Sequence, residues 1–218
     1  MNVKKDKDKD SDSDIHDMFN NCGNDHESDY DPHIIIFFGE INDENTQKLT
    51  GQLLLSEKTI NRNMKNFKRK YDTMKNDNDS ITMTYSSKPI KLYITTDGGC
   101  LLCAFSLIDT IKSLSVKVHT ICKGAVSSAG TLICMAGEKK FISKNSYMLI
   151  HELRNGCWGK FSKLVDSHEN SVQFMEHVKH YYVENSKIPE NEIAEILKKD
   201  LYWNANKCLE LGLVHEII

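Results

Sequence analysis

Val116-Lys117-Val118-His119-Thr120-Ile121 alternates apolar and polar side chains, and Gly124-Ala125-Val126-Ser127-Ser128-Ala129-Gly130 leads it into the apolar run Leu132-Ile133-Cys134-Met135-Ala136. Period-two alternation predicts a strand over 116–121. Gly124 predicts a turn, since glycine reaches backbone conformations closed to other residues. The segment from Ser128 to Ala136 reads as a buried helix. A strand, a glycine-bearing turn and a helix in immediate succession form the repeating unit of an α/β protein.

The same grammar recurs on both sides. Ile34 to Phe38 is a short apolar run ending at Gly39 and predicts a buried strand. Asn42-Asp43-Glu44-Asn45 can cap a helix that carries Leu49, Leu53 and Leu54 on one face. Ile90 to Thr95 predicts a strand, Asp97-Gly98-Gly99 a tight turn, and Leu101 to Leu114 a helix with Leu101, Phe105, Ile108 and Ile111 at helical spacing. Further on, Phe141-Ile142 and Met148-Leu149-Ile150 predict two short strands. Phe161 to Glu184 predicts one long amphipathic helix with Phe161, Leu164, Val165, His168, Val172, Met175 and Tyr182 on a stripe. Pro189 suits the first position of a helix reaching Lys199. Ala205 to Leu211 stops at Gly212, and Leu213 to Ile218 predicts a last strand. Strands alternating with helices imply a largely parallel sheet.

The 218 residues suffice for one domain with a proper core. Residues Met1 to Asp31 carry four Lys and ten Asp or Glu and have almost nothing to bury, so they are expected to form a disordered tail. No apolar stretch follows the first lysines, unlike a secretory signal. The segment 57–87, with Lys65, Lys68, Arg69 and Lys70 and the turn cluster Asn76-Asp77-Asn78-Asp79-Ser80, is expected to be a surface insertion whose helix continues through Phe67 and Tyr71. A formal net charge of -3 argues against nucleic acid or a membrane surface as partner. No run approaches the roughly 20 apolar residues of a membrane helix. The seven cysteines are an odd number without a secretory signal and are expected to be reduced thiols in a cytoplasmic protein. Cys100-x-x-Cys103 has redox- or metal-like spacing, but no second ligand pair appears nearby, so it reads as a helix start and no metal is expected.

Open α/β sheets place sites at the carboxyl ends of strands, where turns feed helices. The 124–130 turn sets the Ser128 hydroxyl at a helix N-terminus, where free N–H groups and a partial positive charge favour an oxyanion. His151 follows Met148-Leu149-Ile150 and so stands at a strand end. A nucleophilic serine needs a base, and the base needs an orienting carboxylate. Asp200 is one candidate; spacing alone does not select it over Asp166 or Glu152.

These segments together resemble the ClpP family, the proteolytic subunit of the ATP-dependent Clp protease, from about Ile34 to Ile218. The likeness is carried in order by Ile36-Phe37-Phe38-Gly39-Glu40-Ile41, Leu92-Tyr93-Ile94-Thr95-Thr96-Asp97-Gly98-Gly99, Ile108-Asp109-Thr110-Ile111, Cys122-x-Gly124 through Ser128-Ala129-Gly130, Asn145-Ser146-Tyr147-Met148-Leu149-Ile150-His151, Lys199-Asp200 with Ala205, and Leu211-Gly212-Leu213-Val214. The resemblance implies a ClpP/crotonase-like α/β fold of repeated β-β-α units, a mostly parallel sheet and a protruding handle helix. It implies Ser128 as nucleophile, His151 as general base and Asp200 as its orienter, and the backbone N–H groups of Gly99 and Ala129 as the oxyanion hole. Gly98, Gly156 and Gly159 are implied along the substrate. The substrates implied are unfolded proteins or peptides, and the assembly implied is a homo-oligomer of stacked heptameric rings. A separate AAA+ unfoldase of the Clp type would use the ATP, since no Gly-x-x-x-x-Gly-Lys-Ser/Thr occurs here and no cofactor of this chain's own is implied.

Four departures stand out. Asp97 replaces the family's Pro, Glu152-Leu153 replaces Gln-Pro, the loop at Glu138-Lys139-Lys140 is trimmed, and 57–87 has no counterpart of that length. The alternatives are a catalytically silent ring subunit and an acyl-CoA enzyme of the crotonase type. The latter would use the same paired N–H groups without a Ser-His-Asp set.

Overall fold

The strand leading to Ser128 is longer than its alternation suggests, and its shape organises the sheet. In the computed structural model, which describes residues 31–77 and 88–218, it runs as β3 (Val118–Ser127). Gly124 is therefore not a turn that ends the strand. With φ of +69° it is a bend inside it, and the pairing with the preceding strand shifts register at the same level. Before the bend, β3 lies between β2 (Ile90–Thr96) and β4 (Lys139–Ile142), parallel to both. After it, Ala125, Val126 and Ser127 pair in parallel with Tyr147, Met148 and Leu149 of β5 (Tyr147–Ile150).

The main sheet reads β1 (Ile34–Phe38), β2, β3, β4, β7 (Glu216–Ile217) across its width, all parallel. β5 and the antiparallel β6 (Leu201–Asn204) form a branch off the second half of β3. The expected strand over 213–218 is shorter, because Leu213 and Val214 turn into the core instead of lying in the ladder. β1 is an edge strand, and its outer side chains Ile34, Ile36 and Phe38 are exposed, Phe38 by 80%. The expected buried strand is thus buried on one face only, through Ile35 and Phe37.

Helices α1 (Asp43–Asp77), α2 (Leu101–Ser113) and α3 (Ala129–Met135) pack between and against these strands. Asn42 caps α1 through its side-chain oxygen, which accepts the Asn45 N–H. Leu49, Leu53, Ser56 and Ile60 form the buried stripe at helical spacing, whereas Leu54 falls outside it and is half exposed. α1 continues unbroken past Glu57, whose carboxylate accepts from the Ser115 hydroxyl and N–H. The acidic tail and residues 78–87 lie outside the described residues.

Helix α4 (Phe161–Asn185) is fully buried only in its last third, at Val178, Tyr181 and Tyr182. The Tyr181 hydroxyl donates to the Leu132 carbonyl, and the Tyr182 hydroxyl pairs with that of Thr131. These bonds anchor α4 to the helix that Ser128 opens. The expected stripe at Phe161, Leu164, Val165 and Val172 is solvent-exposed, since none of the described residues covers it. Short α5 (Glu190–Leu197) and α6 (Ala205–Glu210) flank β6. Pro189 caps α5 from outside its first turn. Lys140 is buried, and its ammonium donates to the carbonyls of Asn185 and Gly212, tying the end of α4 to the C-terminal segment.

Ile60 is 1% exposed and Lys68, two turns on, is exposed. Ile60→Ala is expected to cost about 2–5 kcal/mol, and Lys68→Ala within about 0.5 kcal/mol. Urea unfolding of the two variants checks that the core boundary of α1 falls after Ile60.

Candidate active site

Two strand pairings bring Ser128, His151 and Asp200 to one end of the branch. Ser127 pairs with Leu149 in the parallel β3–β5 ladder, so Ser128 sits just beyond β3 where β5 is about to end. Ile150 pairs with Leu201 in the antiparallel β5–β6 ladder, so one further step sets His151 opposite Asp200. The three residues are remote in sequence, and each stands one residue outside its strand, Ser128 after β3, His151 after β5 and Asp200 before β6. A register slip of one residue in either ladder would turn the side chains to opposite faces.

Ser128 changes from strand to helix within a single residue. Its N–H still donates into the ladder, to the Leu149 carbonyl at 2.8 Å, while its own carbonyl already accepts from the Thr131 N–H and hydroxyl. Meeting both demands requires φ of +54°, the left-handed region, and Ser128 is the one non-glycine there among the described residues. Such a conformation costs on the order of 1–3 kcal/mol and persists only where surrounding bonds fix it. It presents the side chain at the N-terminus of α3 without a capping bond. Ser128 is half-buried, in contrast to Ser127, whose hydroxyl is buried without a hydrogen-bond partner.

The Asp97-Gly98-Gly99 turn faces Ser128. Gly98 has φ of +102° and Gly99 of +140°. A β-carbon on Gly98 would lie 2.6 Å from that of Ser128, and one on Gly99 would lie 2.2 Å from the Ile41 carbonyl oxygen. The turn is held from within by Thr96, whose hydroxyl accepts the Gly98 N–H at 3.0 Å. It is held from outside by Ile41, whose N–H donates to the Gly98 carbonyl and whose carbonyl accepts the Cys100 N–H. In such a parallel bridge the Gly99 N–H points away from Ile41. Both polar groups of Gly98 are therefore engaged in the turn. The Asp97 side chain is exposed, and Thr96 and Ile41 supply the restraint that a proline would otherwise give. The trimmed 138–140 loop is likewise closed on β3, through the Glu138 N–H and the Val118 carbonyl.

Gly99, Ser128, Ala129 and His151 line one cavity of about 120 Å³ with Leu101, Leu132, Leu153, Val178 and Tyr182. The lining is apolar apart from Ser128, His151, Glu152, Arg154 and the Tyr182 hydroxyl, whose burial pushes its phenol up and keeps it protonated. The His151 side chain is 12% exposed, and its Nδ1 is buried without a hydrogen bond, 4.0 Å from an Asp200 carboxylate oxygen. The other oxygen of Asp200 accepts from Arg154 at 2.6 Å. The carboxylate, 57% exposed, is thus bonded to the guanidinium and stands beyond hydrogen-bond reach of the imidazole. Gly156 and Gly159 lie elsewhere: the 151–160 segment has no regular structure, a β-carbon on Gly156 would meet nothing within 4 Å, and one on Gly159 would meet the Lys163 side chain. Neither lines the cavity.

Sequence reasoning did not single out Thr96, Ile41, Thr131 or Arg154. The signal for Thr96 is a short polar side chain two residues before a glycine, the pattern of a side-chain-to-backbone turn bond. Arg154 has no such signal, because it meets Asp200 only through tertiary folding. Among the described residues, no group of three or more His, Cys, Asp or Glu is arranged to hold a metal, and no helix is long and apolar enough to cross a membrane.

The architecture matches that of a ClpP1 mutant from Listeria monocytogenes with a TM-score of 0.68, covering 86% of this chain and 91% of that one at 23% identity. The fold is thus the α/β fold of ClpP, a mostly parallel sheet with helices. The Clp protease family model matches residues 80–218. The ATP-dependent Clp protease proteolytic subunit 2 of Treponema denticola is 30% identical over 186 residues, which are 84% of this chain and 80% of that protein. The chain belongs to the Clp protease family.

Gly98→Ala forces its new methyl against Ser128, which cannot retreat while its N–H and carbonyl are both bonded. Peptide hydrolysis is expected to fall by at least about 10²-fold, the scale of losing one oxyanion donor. The far-ultraviolet circular dichroism spectrum should keep its shape. Unchanged turnover would show that the turn does not set the position of Ser128.

Proposed function

We propose that the chain is a serine endopeptidase that cleaves unfolded proteins or peptides through Ser128, His151 and Asp200. The observation that carries this reading is the convergence of the three residues at adjacent strand ends, beside the Gly98-Gly99 turn and the N-terminus of α3. His151 accepts the Ser128 hydroxyl proton as the oxygen attacks a peptide carbonyl, and the oxyanion of the tetrahedral intermediate is bound by the N–H groups of Gly99 and Ala129. His151 then passes the proton to the leaving amine, which departs and leaves an acyl-enzyme on Ser128. Water, deprotonated by His151, releases the second product and restores the serine. Asp200 fixes the tautomer of His151 and stabilises its charged form. The apolar cavity wall suits an apolar side chain of the substrate at the position being cut.

Family membership supports the assembly: a homo-oligomer of stacked heptameric rings, served by an AAA+ unfoldase of the Clp type that uses the ATP, in the cytoplasm. The exposed outer face of β1 and the exposed Phe161, Leu164, Val165 and Val172 of α4 are apolar groups consistent with ring contacts.

One observation favours the second reading, a catalytically silent ring subunit. Asp200 bonds Arg154 at 2.6 Å and stands 4.0 Å from His151, so the orienting bond is open in the isolated chain. The peptidase reading requires that distance to close by about 1 Å on assembly or substrate binding, within the reach of hydrogen-bond geometry.

The test is casein or short-peptide hydrolysis by protein of known oligomeric mass, wild type against Ser128→Ala. At least about a 10³-fold loss in the variant is expected. Equal hydrolysis by both would sink the triad, and an assembled wild type without turnover would establish the silent subunit.

A further inference from the structure

We propose that Cys100 and Cys103, with Asp43, form a reversible dithiol–disulfide site at the start of α2, next to the Gly98-Gly99 turn. Cys100 is the N-cap of α2, with φ of -63° and ψ of 120°, and its exposed sulfur accepts the Cys103 N–H at 3.4 Å. The sulfur already lies over the first turn, on the side where Cys103 projects. Residues three apart on a helix have β-carbons about 5–6 Å apart. A disulfide needs about 3.5–4.5 Å, a closure that the non-helical N-cap residue can make without unwinding the helix.

Cys103 is buried and donates its S–H to an Asp43 carboxylate oxygen at 3.1 Å. Burial first, and then the Asp43 carboxylate, push its thiol up to about 12. The Thr46 hydroxyl, buried without a hydrogen-bond partner, lies beside the same sulfur and is placed to donate to it when it loses its proton. An exposed cysteine at a helix N-terminus, followed three residues later by a buried one that carries its own carboxylate, is a pair built for stepwise exchange. The other buried cysteines have no such arrangement. The contact with Cys134 first, and then burial, push the thiol of Cys122 far up, and among the described residues no exposed partner leads an oxidant to either.

The exchange balances with glutathione disulfide as oxidant. Cys100 loses its proton to water and its sulfur attacks one sulfur of glutathione disulfide, the S–S bond breaks, and one glutathione leaves as thiolate and takes up a proton from water. Cys103 then gives its proton to Asp43 and attacks the Cys100 sulfur of the mixed disulfide. The second glutathione leaves and takes up a proton. The protein is oxidised by two electrons, and one glutathione disulfide is reduced to two glutathione thiols. Closing the ring removes the Cys103 S–H bond to Asp43 at the first turn of α1 and ties down the residue after Gly99.

The site is read by mass, so it stands or falls independently of the role of Ser128. The full chain is equilibrated in glutathione buffers of graded ratio, alkylated under acid quench and mapped by peptide. The expected result is an internal Cys100–Cys103 bridge that forms with rising glutathione disulfide and reopens in dithiothreitol. Cys103→Ser should stop at a stable glutathione adduct on Cys100. Asp43→Asn should slow the second step at least about tenfold, so that the same adduct accumulates transiently. Exposed Cys157 reports that the oxidant is active. If Cys157 is glutathionylated while Cys100 and Cys103 stay alkylatable at every ratio, the proposal is overturned.

Discussion

The position of β5 between β3 and β6 is the constraint on which the rest depends. Its parallel pairing with β3 fixes His151 relative to Ser128, and its antiparallel pairing with β6 fixes Asp200 relative to His151. A four-residue strand therefore sets two of the three distances in the candidate triad. Its freedom to do so comes from the bend at Gly124, which releases the end of β3 from β4 and offers a new edge. A straight β3 would have kept one sheet and left Ser128 without a histidine at its side.

Around this branch the molecule spends its bonds on two strained points. Ser128 is held in its left-handed conformation by the Leu149 carbonyl on one side and Thr131 on the other, and Thr131 is in turn held by Tyr182 of the long helix. The facing turn is held by Thr96 and Ile41, which fix its shape with Asp97 before its two glycines. The looser end is Asp200. Lying on the surface and paired with Arg154, it is the group whose position is least determined by the chain itself.

Much of the fold was legible because the strands and helices are short, apolar and punctuated by glycine. The 90–96 strand, the helix after it and the Ser128 helix begin within a residue or two of where periodicity sets them. What was not legible has physical reasons. Gly124 reads equally as a turn or as a bend within a strand, and only the partner strand decides. A continuous apolar run such as Ile34 to Phe38 does not reveal whether one face or both are covered, and the stripe on α4 does not reveal that Phe161, Leu164, Val165 and Val172 are exposed. Of the site, Ser128 and His151 stand out by local pattern. Asp200 follows from the resemblance, because its place depends on a ladder between segments some fifty residues apart. Arg154 was invisible for the same reason. Cys100 and Cys103 read as a helix start, which is correct, but the Asp43 carboxylate that accepts the Cys103 S–H comes from α1.

The account's central claim is that strand register makes Ser128, His151 and Asp200 one working unit. The measurement that tests it most directly is the rate at which a fluorophosphonate labels the protein, with the adduct located by peptide mass, in wild type and in Asp200→Asn. The account predicts an adduct on Ser128 and a rate at least about 10²-fold slower in the variant, because the imidazole loses its orienting carboxylate. Labelling of Ser127 instead, or equal rates in the two proteins, would contradict it.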